Sequence, residues 1–205
     1  MKNPWEEIPL VDYESHMKLD SVMQLQAMNE MMKGQFDTYS ISSIMILGIA
    51  GGNGLEHIQK DKFERVYGVD INSSYLQAVI QRYPELNELL ECLCINLIDE
   101  KNKLPKVDMV IANLLIEYIG YECFQKAVKQ VNPKYVSCII QINIEDNWVS
   151  DSPYLHVFDG LEQVYHQIEA HTLENTMLEI GYHAIKTLEH TLPNRKKLVQ
   201  IDFKR

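Results

Sequence analysis

Residues 47–54, which read LGIAGGNG, are the stretch that decides the fold. They follow a continuous apolar run at residues 43–47 (SIMIL), which is typical of a buried parallel strand. Glycines after such a strand allow a tight turn and let a bound ligand approach the backbone closely. A helix over residues 54–62 would add unpaired N–H groups and positive potential at its start. The stretch therefore predicts a strand, a ligand-binding loop and a helix.

The spacing of these glycines argues against a dinucleotide. The NAD fingerprint needs glycine two and five positions after the first glycine. Those positions are occupied by Ala50 and Asn53. Because some variants accept alanine, an NAD-dependent oxidoreductase stays as the less favoured alternative.

A second signal lies at the end of the next predicted strand, residues 65–70 (RVYGVD). Asp70 comes 22 positions after Gly48. An acidic residue at the tip of the second strand can accept hydrogen bonds from both hydroxyls of a ribose. The alternative is that Asp70 caps a helix together with Asn72 and Ser73. The glycine loop at this distance favours ribose binding.

Strands and helices alternate along the first two thirds of the chain. Apolar residues at steps of three and four predict a helix over residues 15–33, begun by Ser15 and ended by Gly34. The further predicted elements are helices at 73–83 and 121–131, and strands at 93–97, 107–112 and 135–143. This order predicts an α/β fold with a parallel sheet that is covered on both faces. Ligands of such sheets bind beyond the carboxyl ends of the strands.

The last third of the chain departs from this alternation. Residues 144–160 show no clear period, and we interpret them as a loop or lid over the strand ends. A helical pattern resumes at 161–180, with Gly181 as its C-terminal cap. Residues 182–191 and 196–203 predict an antiparallel hairpin, because Leu192, Pro193 and Asn194 supply a turn between them.

Residues 48–54 (GIAGGNG) followed by residues 66–70 (VYGVD) resemble the first two motifs of class I S-adenosylmethionine-dependent methyltransferases. The resemblance covers most of the chain, and the C-terminal hairpin matches that family's antiparallel last strand. It implies one domain over residues 1–205, with residues 1–34 as an N-terminal helical cap. The implied architecture is a Rossmann-like, mostly parallel seven-stranded sheet of order 3-2-1-4-5-7-6, with helices on both faces.

The resemblance assigns S-adenosylmethionine as the cofactor and gives roles to individual residues. Gly48, Ala50 and Gly52 would pass beneath its methionine and ribose portions. Asn53 belongs to the same cofactor-binding loop, and Asp70 would hold the ribose hydroxyls.

The other cofactor contacts implied by the family follow the later strands. Ile71 would pack on the adenine. Asn96 would contact the adenine amine and Leu97 would flank the ring, with Asp99 as a rival for the polar role. Asn113 and Leu114, after the fourth strand, would lie near the methionine end and the reacting methyl group.

One position departs from the family pattern. Many members carry Asp or Glu two positions before the first glycine, where this chain has Ile46. That acid helps to organise the amino end of the cofactor. We hypothesise that Glu117 or a group from the N-terminal helix compensates.

Candidate catalytic residues come from two segments. The resemblance implies that the N-terminal segment closes the pocket, so residues 13–16 would fold over the cofactor site and place His16 for proton transfer. Glu117 could orient a nucleophile or take its proton, and Tyr118 could shape the methyl site. The alternatives are a structural or exposed His16, a solvated Glu117 at a helix start and a packed Tyr118.

Composition narrows the class of acceptor. The formal net charge is −10, which opposes binding to nucleic-acid phosphates, and the basic cluster at 195–197 reads as a solvated hairpin tip. The segment at residues 113–116 (NLLI) lacks the Asn-Pro-Pro-Tyr motif of methyltransferases that act on bases or glutamine. We therefore expect a small-molecule acceptor and no nucleic acid.

The remaining expectations concern metals and membranes. The four cysteines and seven histidines show no metal-ligand spacing, so no metal is predicted. No apolar run of about 18 residues and no signal-peptide pattern occurs, so we predict a cytoplasmic protein without membrane spans. The predicted function is methyl transfer from S-adenosylmethionine, with a non-catalytic cofactor-binding regulatory module as the alternative.

Overall fold

The computed structural model describes residues 3–143, 149 and 152–205. Its strands are β1 (Ser43–Leu47), β2 (Arg65–Asp70), β3 (Leu90–Cys94), β4 (Met109–Asn113), β5 (Tyr135–Ile142), β6 (His183–Thr191) and β7 (Lys197–Lys204). They form one sheet of seven strands in the order β3-β2-β1-β4-β5-β7-β6. Strands β1 to β5 pair in parallel, whereas β7 runs antiparallel to both β5 and β6. The predicted fold class and strand order are confirmed.

Five α-helices are found among the described residues: α1 (Leu10–Met17), α2 (Gln24–Asp37), α3 (Ser73–Arg82), α4 (Ile116–Val131) and α5 (Ala170–Leu178). Short 3-10 helices occur at Pro4–Glu6, Leu55–His57, Pro84–Leu86, Lys101–Lys103 and Leu155–Gln163. Within the described ranges, no helix combines the length and the apolar character needed to cross a membrane.

The central strands bury both of their faces, because alternate side chains point to opposite sides of a sheet. Ile44 and Ile46 of β1 join a core with α2 and α3, whereas Met45 and Leu47 join a second core with α4 and α5. All four side chains are buried. The continuous apolar sequence of β1 therefore fits its position at the centre of the sheet.

The predicted helix over residues 15–33 is wrong. Two helices occupy this region, and Met23 between them adopts a left-handed conformation with a φ of 52°. Ser15 lies inside α1, and Gly34 lies inside α2, which continues to Asp37. The apolar period crossed the break because Val22, in the connection, is also buried.

Three further predicted boundaries differ from the structure. The helix predicted at 54–62 is reduced to the 3-10 turn Leu55–His57, and β3 ends at Cys94 rather than near residue 97. The apolar residues after β3 are buried without being paired in the strand, which explains the shift. The helix predicted at 161–180 is only α5, preceded by the end of the 3-10 helix Leu155–Gln163, although Gly181 has the φ of 85° expected of a C-terminal cap. Within the predicted lid, residues 144–148, 150 and 151 lie outside the described residues.

Helix α4 begins before residue 121, the predicted start, and it is kinked at Gly120. The backbone there has a φ of 72° and a ψ of 165°. This region of backbone space is open essentially to glycine alone. The kink therefore separates the first turn of α4, which carries Glu117 and Tyr118, from the rest of the helix.

We expect Gly120→Ala to lower the free energy of unfolding by about 1–3 kcal/mol, because alanine is strained at this backbone conformation. Gly34→Ala is the matched control. Gly34 lies inside α2 in open space, so alanine there should stabilise the fold by about 0.5–1 kcal/mol. Urea unfolding of both variants measures the two changes, and a shift of the same sign in both would contradict the strain at Gly120.

Candidate functional site

A cavity opens at the carboxyl ends of the parallel strands, where the topology predicts a ligand site. The space between its lining residues is about 720 Å³, which includes volume open to solvent. Eight of the ten predicted cofactor-binding residues line it: Gly48, Ala50, Asp70, Ile71, Asn96, Leu97, Asn113 and Leu114. We call this space the first cavity.

The glycine loop after β1 forms one wall of the first cavity. The N–H groups of Gly48 and Ile49 donate to the carbonyl of Val69, at 2.8 and 3.1 Å, which ties the loop to the end of β2. Gly48 and Ala50 both have positive φ, of 70° and 48°. A side chain on Gly48 would lie 3.1 Å from a methyl group of Leu115, so the loop and the start of α4 approach closely.

The carboxylate of Asp70 is fixed by this loop and by the turn after β2. Its Oδ2 accepts a hydrogen bond of 2.9 Å from the Ala50 N–H, and its Oδ1 accepts one of 2.9 Å from the Asn72 N–H. Burial raises the pKa of the Asp70 carboxyl, and these backbone N–H groups oppose that rise. Because a carboxylate oxygen can accept more than one hydrogen bond, both oxygens keep acceptor capacity for a ligand.

The cap of α3 is Asn72 rather than Asp70. The Asn72 Oδ1 accepts hydrogen bonds from the N–H groups of Ser74 and Tyr75, at 3.0 and 3.4 Å. The alternative that Asp70 caps this helix is therefore wrong.

The residues that line the first cavity after β2 and β3 are mostly apolar. Ile71, Ile95, Leu97 and Ile98 line it together with Asn96. The Asn96 Oδ1 accepts from the Ile98 N–H at 2.9 Å, which shapes the turn after β3. Apolar lining residues of this kind are suited to an aromatic ring.

Asn113 lines the first cavity, but its side chain points from the sheet to helix α2. Its amide pairs with that of Gln35 through two hydrogen bonds of 3.0 and 2.9 Å, and Gln35 also donates to the Ser137 hydroxyl. The next residue, Leu114, has a φ of 52°, an uncommon conformation for a residue with a side chain. Strained backbone of this kind clusters at ligand sites.

Gly52 and Asn53 are not among the described residues that line the first cavity. A side chain on Gly52 would contact Tyr83 and Leu55. The Asn53 amide donates to the carbonyl of Leu25 and accepts from Asn29, which holds the loop against α2.

The N-terminal segment forms part of the wall of the first cavity. Trp5 and Tyr13 line it, and the Trp5 carbonyl accepts a hydrogen bond of 2.9 Å from the Asn72 side chain. Glu14 forms an ion pair with Arg82, which also donates to the Gly51 carbonyl at 3.0 Å. Of residues 13–16, which we expect to fold over the cofactor site, Tyr13 lines the first cavity. Trp5 was missed, because its partner Asn72 is 67 positions away and nothing local marks the contact.

A second cavity adjoins the first, and Trp5, Tyr13, Leu114 and Tyr118 line both. Two of the three candidate catalytic residues, His16 and Glu117, line the second cavity, and the third, Tyr118, belongs to the shared wall. The other described residues around it are Met17, Gln24, Gln141, Val149, Phe158, Tyr165 and Lys196.

Glu117 is the most unusual group in the second cavity. It is only 3% exposed, so the expected alternative of a solvated side chain is wrong. Its Oε1 accepts a hydrogen bond of 2.8 Å from the Gln141 N–H, whereas its Oε2 has no hydrogen-bond partner. Burial raises the pKa of the Glu117 carboxyl to about 7.

Tyr118 and His16 are packed among aromatic rings. The Tyr118 ring meets the edge of Trp5 at 4.8 Å and that of Tyr165 at 6.3 Å, between centroids. The Nδ1 of His16 lies 2.8 Å from the Ser152 hydroxyl, and its ring packs on Phe158. Burial and, secondarily, the charge of Lys196 lower the pKa of His16, which keeps this imidazole neutral at neutral pH.

The position of the missing acid is buried. Ile46 lies in the core between the sheet and helices α2 and α3. Glu14 lies beside Gly51 of the glycine loop, and Glu117 lies in the second cavity. Glu117 and one group of the N-terminal helix, Glu14, therefore both lie near the two cavities. Among the described residues, no group of three or more His, Cys, Asp or Glu side chains is arranged to hold a metal ion.

Comparison with solved structures shows which fold this architecture is. The chain is similar to the magnesium protoporphyrin IX methyltransferase of Synechocystis PCC 6803, solved with S-adenosylmethionine, at 11% identity and a TM-score of 0.61, over 93% of this chain and 82% of that one. It is also similar to the geranyl diphosphate C-methyltransferase of Streptomyces coelicolor A3(2), at 12% identity and a TM-score of 0.66, over 88% of this chain and 77% of that one. The cyclase SpnF matches at 8% identity and a TM-score of 0.67, over 88% of this chain and 82% of that one.

No family model and no curated protein sequence matches the chain. At identities near a tenth, the structural likeness establishes the fold of the class I methyltransferases.

Proposed function

We propose that this chain, which has the fold of class I methyltransferases, binds S-adenosylmethionine in the first cavity and transfers its methyl group to a small molecule. The observation that carries the proposal is the geometry of Asp70. Its carboxylate is oriented by Ala50 and Asn72 at the carboxyl edge of the sheet and keeps acceptor capacity on both oxygens. A ribose diol is the ligand group that such a carboxylate fits.

The residues around Asp70 fit the rest of the cofactor. Ile71 and Leu97 supply the apolar walls that an adenine needs, and the loop at Gly48 and Ala50 lets a thioether chain approach the backbone. When bound, S-adenosylmethionine supplies a methyl group activated by a positive sulfur. The solved structures with S-adenosylmethionine or its demethylated product in this fold support the same assignment.

The chain itself would act by positioning and by excluding water. Trp5 and Tyr118 form the wall between the two cavities, so an acceptor in the second cavity would face the first. Aligning the acceptor with the methyl group is the main requirement of such a displacement. Glu117, buried and with its pKa raised toward neutrality, is suited to accept the proton that the acceptor releases.

Several features support a small acceptor and a cytoplasmic site of action. The net charge of −10 opposes a nucleic-acid substrate, and the two neighbours named as methyltransferases are named for small molecules. All four cysteines are free thiols, as is usual in a reducing compartment. We also propose that residues 1–205 work as one methyltransferase domain, with residues 1–34 as its cap.

Thermal unfolding tests the cofactor directly. At a hundredfold excess over its dissociation constant, S-adenosylhomocysteine should stabilise the fold by about 2.7 kcal/mol, because it binds only the native state. For a chain of this size, the midpoint should rise by roughly 5–10 °C. NAD at the same concentration should leave the midpoint unchanged.

Two results would separate the alternatives. Stabilisation by NAD alone would favour an oxidoreductase. Tight binding of S-adenosylmethionine without methyl transfer to any compound of a broad acceptor panel would favour the non-catalytic module. One neighbour in this fold is named as a cyclase, so the fold alone does not establish methyl transfer.

A further inference from the structure

Among the described residues, the Oε2 of Glu117 is the one buried side-chain nitrogen or oxygen without a hydrogen-bond partner. Buried polar atoms are nearly always paired, because an unpaired one loses its hydration without replacement. The Gln141 N–H donates to the Oε1 of Glu117, so it leaves the Oε2 unpaired. The unpaired oxygen belongs to a residue that lines the second cavity.

The neighbouring polar groups are occupied with one another. The Gln24 amide donates to the Gln141 side-chain oxygen at 2.8 Å, and the Gln141 amide donates to Asn143 at 2.7 Å. Glu117 takes part in none of the four ion pairs found within the described residues. The donor that completes Glu117 is therefore expected to come from an occupant of the cavity.

The aromatic rings around Glu117 favour a positively charged occupant, and the one lysine that lines this cavity among the described residues, Lys196, has its pKa lowered by burial to about 8. Trp5, Tyr118 and Tyr165 line the same cavity, and aromatic faces attract cations. A carboxylate gains more from a charged donor than from a neutral one. An ammonium group would satisfy the free oxygen and neutralise a buried charge at the same time.

Resting on the proposed function, we propose that the methyl acceptor is a small amine, held in the second cavity with its nitrogen on Glu117 and its carbon skeleton against Trp5, Tyr118 and Tyr165. The bound ammonium gives one proton to the Glu117 carboxylate, which frees the nitrogen lone pair. That lone pair forms the bond to the methyl carbon while the carbon–sulfur bond breaks, and the breaking pair of electrons stays on sulfur.

Binding of matched probes tests this assignment without relying on turnover. Protein saturated with S-adenosylhomocysteine is titrated at pH 8 with phenethylamine and with 2-phenylethanol, which has the same shape but carries no charge. The wild type should bind the amine more tightly than the alcohol. The substitution Glu117→Gln should lower the affinity for the amine by about 10- to 100-fold. It should change the affinity for the alcohol by less than threefold.

Glu122→Gln is the matched control. Glu122 lies on the same helix, but its side chain is 81% exposed and pairs with Lys126. This variant should bind both probes as the wild type does. Equal affinities of the wild type for the two probes, no binding of the amine, or an amine affinity unchanged in Glu117→Gln would each overturn the proposal.

A second comparison separates the acceptor from the cofactor. If Glu117 instead replaces the acid missing at Ile46, Glu117→Gln will weaken S-adenosylhomocysteine but not methylthioadenosine, which lacks the amino-acid end. That result would overturn the amine proposal and keep the proposed function. Failure of S-adenosylhomocysteine to bind the wild type would overturn the proposed function itself.

Discussion

Asp70→Ala is expected to weaken S-adenosylhomocysteine by about 100-fold or more, because two hydrogen bonds from a ribose to a charged acceptor would be lost. Each such bond contributes about 1.5–3 kcal/mol. Calorimetric titration measures the change. Glu91→Ala, which removes an exposed carboxylate from β3, should leave the affinity within a factor of two.

Asp70 also accepts hydrogen bonds from the N–H groups of Ala50 and Asn72. Its replacement by alanine therefore disturbs the glycine loop as well as the contact with the ribose. A ligand-side comparison separates these two effects. The 2′-deoxy form of S-adenosylhomocysteine should bind the wild type about tenfold more weakly than the parent ligand. Asp70→Ala should bind both ligands equally, and persistent discrimination by this variant would show that another group holds the 2′-hydroxyl.

Glu117→Gln should become more stable relative to the wild type as the pH rises. Burial raises the pKa of Glu117 to about 7 in the folded state, against an ordinary value of 4.5. Because the folded value is the higher one, the stability contributed by the protonated carboxyl is present at low pH and is lost as the pH rises through 7. Between pH 5.5 and 8.5 the difference between variant and wild type should move by about 2 kcal/mol in favour of the variant.

Urea unfolding at the two pH values measures this difference. Tyr118, Tyr165 and Cys138 do not contribute to this pH dependence between pH 5.5 and 8.5. Burial raises the pKa values of all three above their ordinary values, so they stay protonated in the folded protein. His16 and Lys196, which line the same cavity, are present in both proteins and largely cancel. A difference that stays constant with pH would mean that Glu117 is ionised in the folded protein throughout this range.

The sequence brings the predicted residues of the first cavity together because their determinants are local. The glycine loop and Asp70 are each fixed by the strand that precedes them, and parallel pairing of β1 and β2 brings the two strand ends together. The roles of the neighbouring residues need the structure. That Asn72 rather than Asp70 caps α3 depends on side-chain orientation, which two adjacent polar residues do not reveal.

The acceptor side is less visible in the sequence because its walls come from distant segments. Trp5 reaches the site through a hydrogen bond from Asn72, and Gln141 meets Glu117 across 24 positions. The break between α1 and α2 is equally hidden, since Met23 adopts a left-handed conformation without a glycine or proline to mark it. Burial of Glu117 follows from these long-range contacts, and its local sequence alone is compatible with a solvated helix start.

The wall shared by the two cavities makes their ligands thermodynamically dependent on each other. Trp5 and Tyr13 belong to the N-terminal segment, and both residues line the first and the second cavity. Ordering the Trp5 and Tyr13 rings costs conformational entropy. If a bound cofactor has already ordered them, the acceptor binds without that cost, which is positive cooperativity. By reciprocity, the acceptor would tighten the cofactor by the same factor. Loss of the Glu14–Arg82 ion pair, which holds the N-terminal segment to the glycine loop, should lower both affinities together, although neither side chain lines either cavity.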